Sequence, residues 1–206
     1  AHKKRIHASI NFDSVTSTDA TFVVVPTPSD KSGMFSLRYV EKAMGGIANA
    51  LASRKKYHLI VLVSTVMPGS MDTIVKPILE RRGKSCGKDF GLCYNPEFIA
   101  LGDVVRGMTE PDFILIGESD KRAGLELARI QKTLCKNSPP IERMSFVNAE
   151  LSKISVNSYI TMKMSFANTL AEICERIPGG DVDKVTEALG KDKRIGARYL
   201  KGAQGY

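Results

Sequence analysis

Several short polar groupings along the 206 residues combine residue types that can do chemistry. Lys153 and Asn157 stand four apart in a helix-forming stretch, so their side chains project side by side, flanked by Ser152, Ser155 and Ser158. A cation and an amide placed this way form a donor pair with room for a ligand oxygen. Glu97 sits in Tyr94-Asn95-Pro96-Glu97-Phe98. With Asn95 as helix cap and Pro96 at the first helical position, this segment predicts a helical turn that fixes a carboxylate where it can act as a base or orient a water. Val25-Pro26-Thr27-Pro28-Ser29 and Ser64-Thr65-Val66-Met67-Pro68-Gly69 offer hydroxyls at strand ends. From Arg194 to Tyr206, the basic Arg194, Arg198 and Lys201 alternate with Gly196, Gly202 and Gly205, a mixture that suits a phosphate-bearing ligand.

Each grouping also has a plainer reading. Pro26 to Pro28 makes a rigid turn, Ser64 and Thr65 can cap a helix, and Glu97 can complement a helix dipole. Arg194 to Lys201 can be a solvated basic tail. On its helix alone, the Lys153/Asn157 pair is most simply a solvated face, so the elements around it decide.

Those elements alternate. Apolar strands are expected at about 21–25, 58–63, 90–94, 113–116 and 141–145, with helices at about 36–53, 70–82 (kinked near Pro77) and 120–135. Gly45-Gly46 weakens the first helix by roughly 1 kcal/mol per glycine. Such alternation indicates an α/β fold with a parallel sheet covered on both faces, whose ligands bind at the carboxyl ends of the strands. Thr27, Ser64-Thr65 and Asn95-Pro96-Glu97 all fall at such ends. After Ser145 the strands cease. Asn148 to Ile177 lacks Gly and Pro, and as one helix would run about 45 Å. Asn148 can cap it, Glu150 favours its positive end, and Pro178-Gly179-Gly180 stops it. Leu151, Tyr159, Met162, Phe166, Leu170, Ile173 and Ile177 form an apolar stripe along it. The expected division is 1–145 and 146–206. No Gly-x-Gly-x-x-Gly occurs, so either the sheet binds no dinucleotide or its first half is missing.

Composition narrows the classes. Hydrophobic content of 43% and charged content of 25% are those of an ordinary globular protein. No apolar run approaches a membrane span, so no membrane partner is expected. Cys86, Cys93, Cys135 and Cys174 show no metal-ligand spacing, which points to free thiols, a cytoplasmic location and no metal. A net charge of +8 favours anionic partners. The absence of Trp and of an arginine-rich tract ranks nucleic acid low.

Five ordered motifs, DATFVVVPTPSD, VLVSTVMPGSMDTIVKPILE, YNPEFIALGDVVRGMTEPDFILIGESD, AELSKISVNSY and RIGARYLKGAQGY, resemble the UDP-glucose/GDP-mannose dehydrogenase family of nucleotide-sugar 6-dehydrogenases from about Ile6 to Tyr206. The resemblance implies the second half of a Rossmann-like NAD-binding domain, followed by an all-helical central domain. It implies that Pro26, Thr27, Ser64 and Thr65 touch NAD, and that Glu97, Lys153 and Asn157 are catalytic. It assigns Phe98, Ile99, Arg194, Lys201, Gly205 and Tyr206 to the nucleotide-sugar substrate, and the long helix to a homodimer. Leu101 departs from the family, many of whose members carry a second glutamate there. The family's catalytic cysteine segment follows the RIG-to-GY motif, so the 206 residues alone are expected to be inactive. A hydroxyacid dehydrogenase relative and a non-catalytic dimerising fragment are the alternatives.

Overall fold

The computed structural model describes residues 6–31, 33–99 and 102–203. In chain order come a 3₁₀ turn (Asp13–Thr16), β1 (Ala20–Val23), α1 (Arg38–Ala52) and β2 (His58–Leu62). A π-helical turn (Met71–Val75) then runs into α2 (Lys76–Glu80), followed by β3 (Phe90–Tyr94), α3 (Val104–Thr109), β4 (Ile114–Glu118) and α4 (Lys121–Leu134). β5 (Ile141–Met144), α5 (Phe146–Glu175) and α6 (Val182–Lys191) complete it. The chain divides into two compact units, Ala1–Lys153 and Ile154–Tyr206, so the boundary falls inside α5 and after the 145/146 division expected from the pattern.

The first unit is a five-stranded sheet in the order β1-β2-β3-β4-β5. Every residue of β2 and of β3 is buried, as apolar strands sandwiched between helices must be. Alternation divides them: Ile60, Leu62, Phe90, Leu92 and Tyr94 face one way, onto Val40, Met44, Ile47 and Leu51 of α1 and Leu79 of α2. Leu59, Val61 and Cys93 face the other way, onto Ala123, Leu127 and Ala128 of α4. The sheet is mostly parallel. β3 and β4 alone among the described pairs run antiparallel, because the chain between them carries only the short α3 and makes no full crossover.

At the bottom of β2, the buried His58 ring ties the sheet to the turn before β1. Its Nδ1 lies 2.9 Å from the Thr18 carbonyl, which only accepts, so Nδ1 carries the proton; Nε2 then accepts from the Thr21 hydroxyl at 2.8 Å. Pro77 cannot donate to a helical ladder, and the chain before α2 widens into a π turn rather than a simple kink.

α5 starts at Phe146, two residues before the expected Asn148 cap. Its first turn packs on Gly117 of β4, where a Cβ would lie 3.0 Å from the Ala149 Cβ and 3.3 Å from the Phe146 Cα. In the second unit, α5 continues to Glu175 and the chain turns through Gly179 (φ +84°). Asp181 then caps α6, accepting from the amides of Asp183 and Lys184.

Candidate functional site

Three parallel strands place their carboxyl ends together. Val23 of β1 pairs with Leu62 of β2, which pairs with Tyr94 of β3. The loops that follow are therefore neighbours, and they carry the expected residues.

Ser64 joins the first two loops. Its hydroxyl donates to the Val25 carbonyl at 2.6 Å and accepts from the Val25 amide at 2.8 Å. That use fixes the start of the Pro26-Thr27 loop to the end of β2. Pro26 is exposed, while Thr27 and Thr65 are half-buried. Among the described residues, no hydrogen bond is made by the Thr65 hydroxyl, whereas Val66 beside it is fully buried. Hydroxyls at half-buried strand mouths are the donor set that ribose and phosphate oxygens need, so the residues present fit the ribose-phosphate part of a dinucleotide.

The loop after β3 differs from expectation. Asn95 caps no helix, and residues 95–99 form neither helix nor strand. Its buried side chain instead donates to the Leu115 carbonyl at 2.9 Å and accepts from Gln131 at 2.5 Å. A buried amide must satisfy its polar atoms, and the antiparallel β4 beside it supplies a main-chain acceptor. Glu97 is exposed, and Phe98 and Ile99 are half-buried. Phe98 stacks on Phe113, with ring centroids 4.7 Å apart.

Lys153 comes to this loop from α5. It is only 8% exposed, donates from Nζ to the Glu97 main-chain carbonyl, and lies 4.6 Å from the centre of the Phe98 ring. Burial holds its ammonium below the ordinary lysine value, and the Glu97 charge partly offsets this. The structure thus brings Lys153 and Glu97 together and removes the solvated-face reading for the lysine. Asn157 lies four residues further on, exposed, in the part of α5 that belongs to the second unit.

Sequence reasoning missed Glu150. It is fully buried, and its carboxylate accepts from the amides of Gly69 at 2.6 Å and Met71 at 2.8 Å. The available signal was its spacing of three from Lys153, which puts both on one helical face.

In the second unit, Arg194 is exposed and paired with Asp192, its Nε and Nη2 donating to both carboxylate oxygens at 2.6–3.2 Å. Lys163 of α5 holds the next turn, donating to the carbonyls of Ile195 and Gly196. Asn168 donates to Ala203 at 3.1 Å, and Lys201 is exposed. Gly205 and Tyr206, expected at the substrate, lie outside the described residues, as does Leu101. Among the described residues, no group of three or more His, Cys, Asp or Glu is arranged to hold a metal ion, and no helix is long and apolar enough to cross a membrane.

Comparison with known proteins places the chain in a family. Residues 1–135 match the NAD binding domain of the UDP-glucose/GDP-mannose dehydrogenase family, and residues 147–206 match its central domain. The UDP-glucose 6-dehydrogenase AglM of Haloferax volcanii is 35% identical over 205 residues, covering 98% of this chain and 47% of that protein. Among solved structures, a UDP-glucose dehydrogenase from Pyrobaculum islandicum has a TM-score of 0.87 at 35% identity, covering 96% of this chain and 45% of that one. A GDP-mannose dehydrogenase from Pseudomonas aeruginosa, in a ternary complex, also has a TM-score of 0.87, at 32% identity, covering 94% and 44%. The chain spans about half the length of the relatives it matches. Two matching domains in the family's own order make the chain a member of the UDP-glucose/GDP-mannose dehydrogenase family of NAD-dependent oxidoreductases.

Proposed function

We propose that these residues belong to an enzyme that oxidises the C6 alcohol of a nucleotide-linked hexose to a carboxylate, for polysaccharide precursors, with two NAD reduced per sugar. The observation that carries this reading is the buried Lys153, held at the mouth of the sheet beside Glu97. When bound, the coenzyme would supply the hydride acceptor for each of the two oxidations. Thr27 and Thr65, with Pro26 and Ser64 shaping their loops, would hold its ribose and phosphates.

Lys153 then works on the reacting oxygen. Its ammonium has three N–H donors, and the Glu97 carbonyl takes one, which leaves donors for an alkoxide or a tetrahedral oxyanion. A lowered affinity for its proton also suits an amine that relays one. Asn157, one turn further along α5, supplies a second donor. Between the two oxidations a cysteine thiol adds to the aldehyde; loss of the second hydride makes a thioester, and water cleaves it to the acid and the free thiol. Glu97, its main chain held by Lys153 and its carboxylate exposed, deprotonates that water. The cysteine lies outside the 206 residues in this reading, which alone are inert. Phe98, Ile99, Arg194, Lys201, Gly205 and Tyr206 hold the sugar nucleotide.

A second copy of the chain covers α5. Tyr159, Met162, Phe166 and Ile173 recur at helical spacing and are 56%, 55%, 51% and 47% exposed, an apolar face suited to an isologous pair. The four cysteines are all free, which suits a reducing cytoplasm.

The test is NAD reduction by the full-length protein with UDP-glucose, UDP-N-acetylhexosamines and GDP-mannose. Two NADH per sugar oxidised is the expected stoichiometry. One NADH per sugar, or turnover by the 206-residue chain alone, contradicts the reading.

A further inference from the structure

Glu150 takes no part in the chemistry above, yet its setting is unusual. Carboxylates are almost never fully buried unless paired, and this one is paired with no cation among the described residues. Its two oxygens are bound by the amides of Gly69 and Met71, at 2.6 and 2.8 Å. These amides open the helical run of Met71–Val75 and Lys76–Glu80, so the carboxylate also meets the positive end of a helix. Burial raises its pKa and the two amides pull it back; Asp72, the other charge facing it, adds to the rise. Against the same loop, Tyr94 is fully buried, with its hydroxyl close to the Val66 main chain and within the field of the Glu150 charge.

Three residues further along α5, Lys153 binds the Glu97 carbonyl. One helix therefore grips the loop after β2 with an anion and the loop after β3 with a cation, through side chains about one turn apart. Thr65 lies in the first of these loops and Glu97 in the second. No covalent link joins the two loops locally, so their relative position depends on what each is fastened to.

We propose that Glu150 is a positioning residue that holds the Ser64-to-Met71 loop, and with it Thr65, in register with Lys153. It acts through the loop's main chain and touches no reacting atom. The inference rests on the reading of Thr65 as a cofactor contact, and the experiment separates the two.

In the full-length protein, Glu150→Gln puts an NH2 donor against one of two amide donors. It is expected to raise the KM for NAD about tenfold, with the KM for the sugar nucleotide changed by less than about threefold. Glu150→Asp keeps the charge and is expected to recover part of the loss. Amide exchange at Gly69 and Met71 should quicken in Glu150→Gln while the amides of α1 keep their protection. An unchanged KM for NAD, or an equal rise in both KM values, overturns the proposal. Thr65→Ala, measured alongside, shows which premise failed: a raised KM for NAD leaves the cofactor reading standing and removes only the role of Glu150, and an unchanged one removes both. If Glu150→Gln loses protection everywhere, Glu150→Asp decides by the same criterion.

Discussion

Two lysines ten residues apart on α5 do the same thing in different surroundings. Lys153 and Lys163 each donate to main-chain carbonyls of a distant loop, Glu97 for the first and Ile195 and Gly196 for the second. Lys153 is buried, over an aromatic ring, with its proton affinity lowered. Lys163 makes its bonds at a wetter position, where water competes for the same carbonyls. The bond itself is therefore not what marks a functional residue. Desolvation is: it makes a charge costly to place and electrostatically strong once placed. The same helix shows the converse in its apolar residues. Its first two turns bury Glu150 and Lys153, while Tyr159, Met162 and Phe166 further on lie about half exposed. Polar groups inside and apolar groups outside both call for an explanation, the proposed chemistry for the first and the proposed second copy for the second.

Breaking the exposed half should give a large change in a measured constant. Phe166→Glu places a charge in the proposed dimer face and is expected to weaken self-association at least about a hundredfold, since an unpaired buried charge costs several kcal/mol. Sedimentation at micromolar concentration reads this directly, and a dimer unaffected by the substitution would remove α5 from the interface. The buried half is tested next by Gly117→Ala. The new Cβ meets Ala149 and the main chain of Phe146, neither able to move aside, so a loss of about 1–3 kcal/mol in unfolding free energy is expected. Gly45→Ala, on α1 with open space around the new methyl, should instead stabilise by about 0.5–1 kcal/mol.

A pH series sharpens the contrast between buried and exposed charge. Lys153 binds its proton less tightly in the folded chain than the usual value of 10.5. Between the lowered folded value and 10.5 the unfolded chain carries more protons. The parent should therefore gain stability relative to Lys153→Met as pH rises through that window, and lose it again as pH falls. Denaturant unfolding of both chains at several alkaline pH values checks the sign, and parallel curves would place Lys153 in water. His58 gives the matching case on the acid side. Burial and the nearby Arg54 lower its value below 6.5, so the stability it contributes is present above 6.5 and fades as pH falls below. The smallest effect belongs to Lys163→Met, within about 1 kcal/mol, because its hydrogen bonds lie at a partly exposed position where water can replace them.

Much of the frame was legible because it follows from local pattern. The continuous apolar runs of β2 and β3 read as central strands, and the breaks after them read as loops at a sheet edge. The Gly-free and Pro-free stretch through Met162 read as one long helix, and it is one. What did not read through was decided by partners distant in sequence. Glu150 near a helix start fits the dipole of its own helix, and nothing nearby says that Gly69 and Met71 will take it instead. Asn95 before Pro96 has the signature of a cap, but β4 arrives antiparallel and offers the Leu115 carbonyl. Strand direction itself depends on the path of the connection, and the short α3 gives little sign of it. Lys153 was the opposite case: its residue type and spacing were visible, and only its burial had to be supplied by the fold.

The most direct test of the account is steady-state kinetics of Lys153→Ala in the full-length protein. Loss of a donor to a developing oxyanion should lower kcat by about 10²–10³-fold while the KM for the sugar nucleotide moves little. An equal loss in substrate affinity, with turnover at saturation preserved, would contradict the role assigned to Lys153.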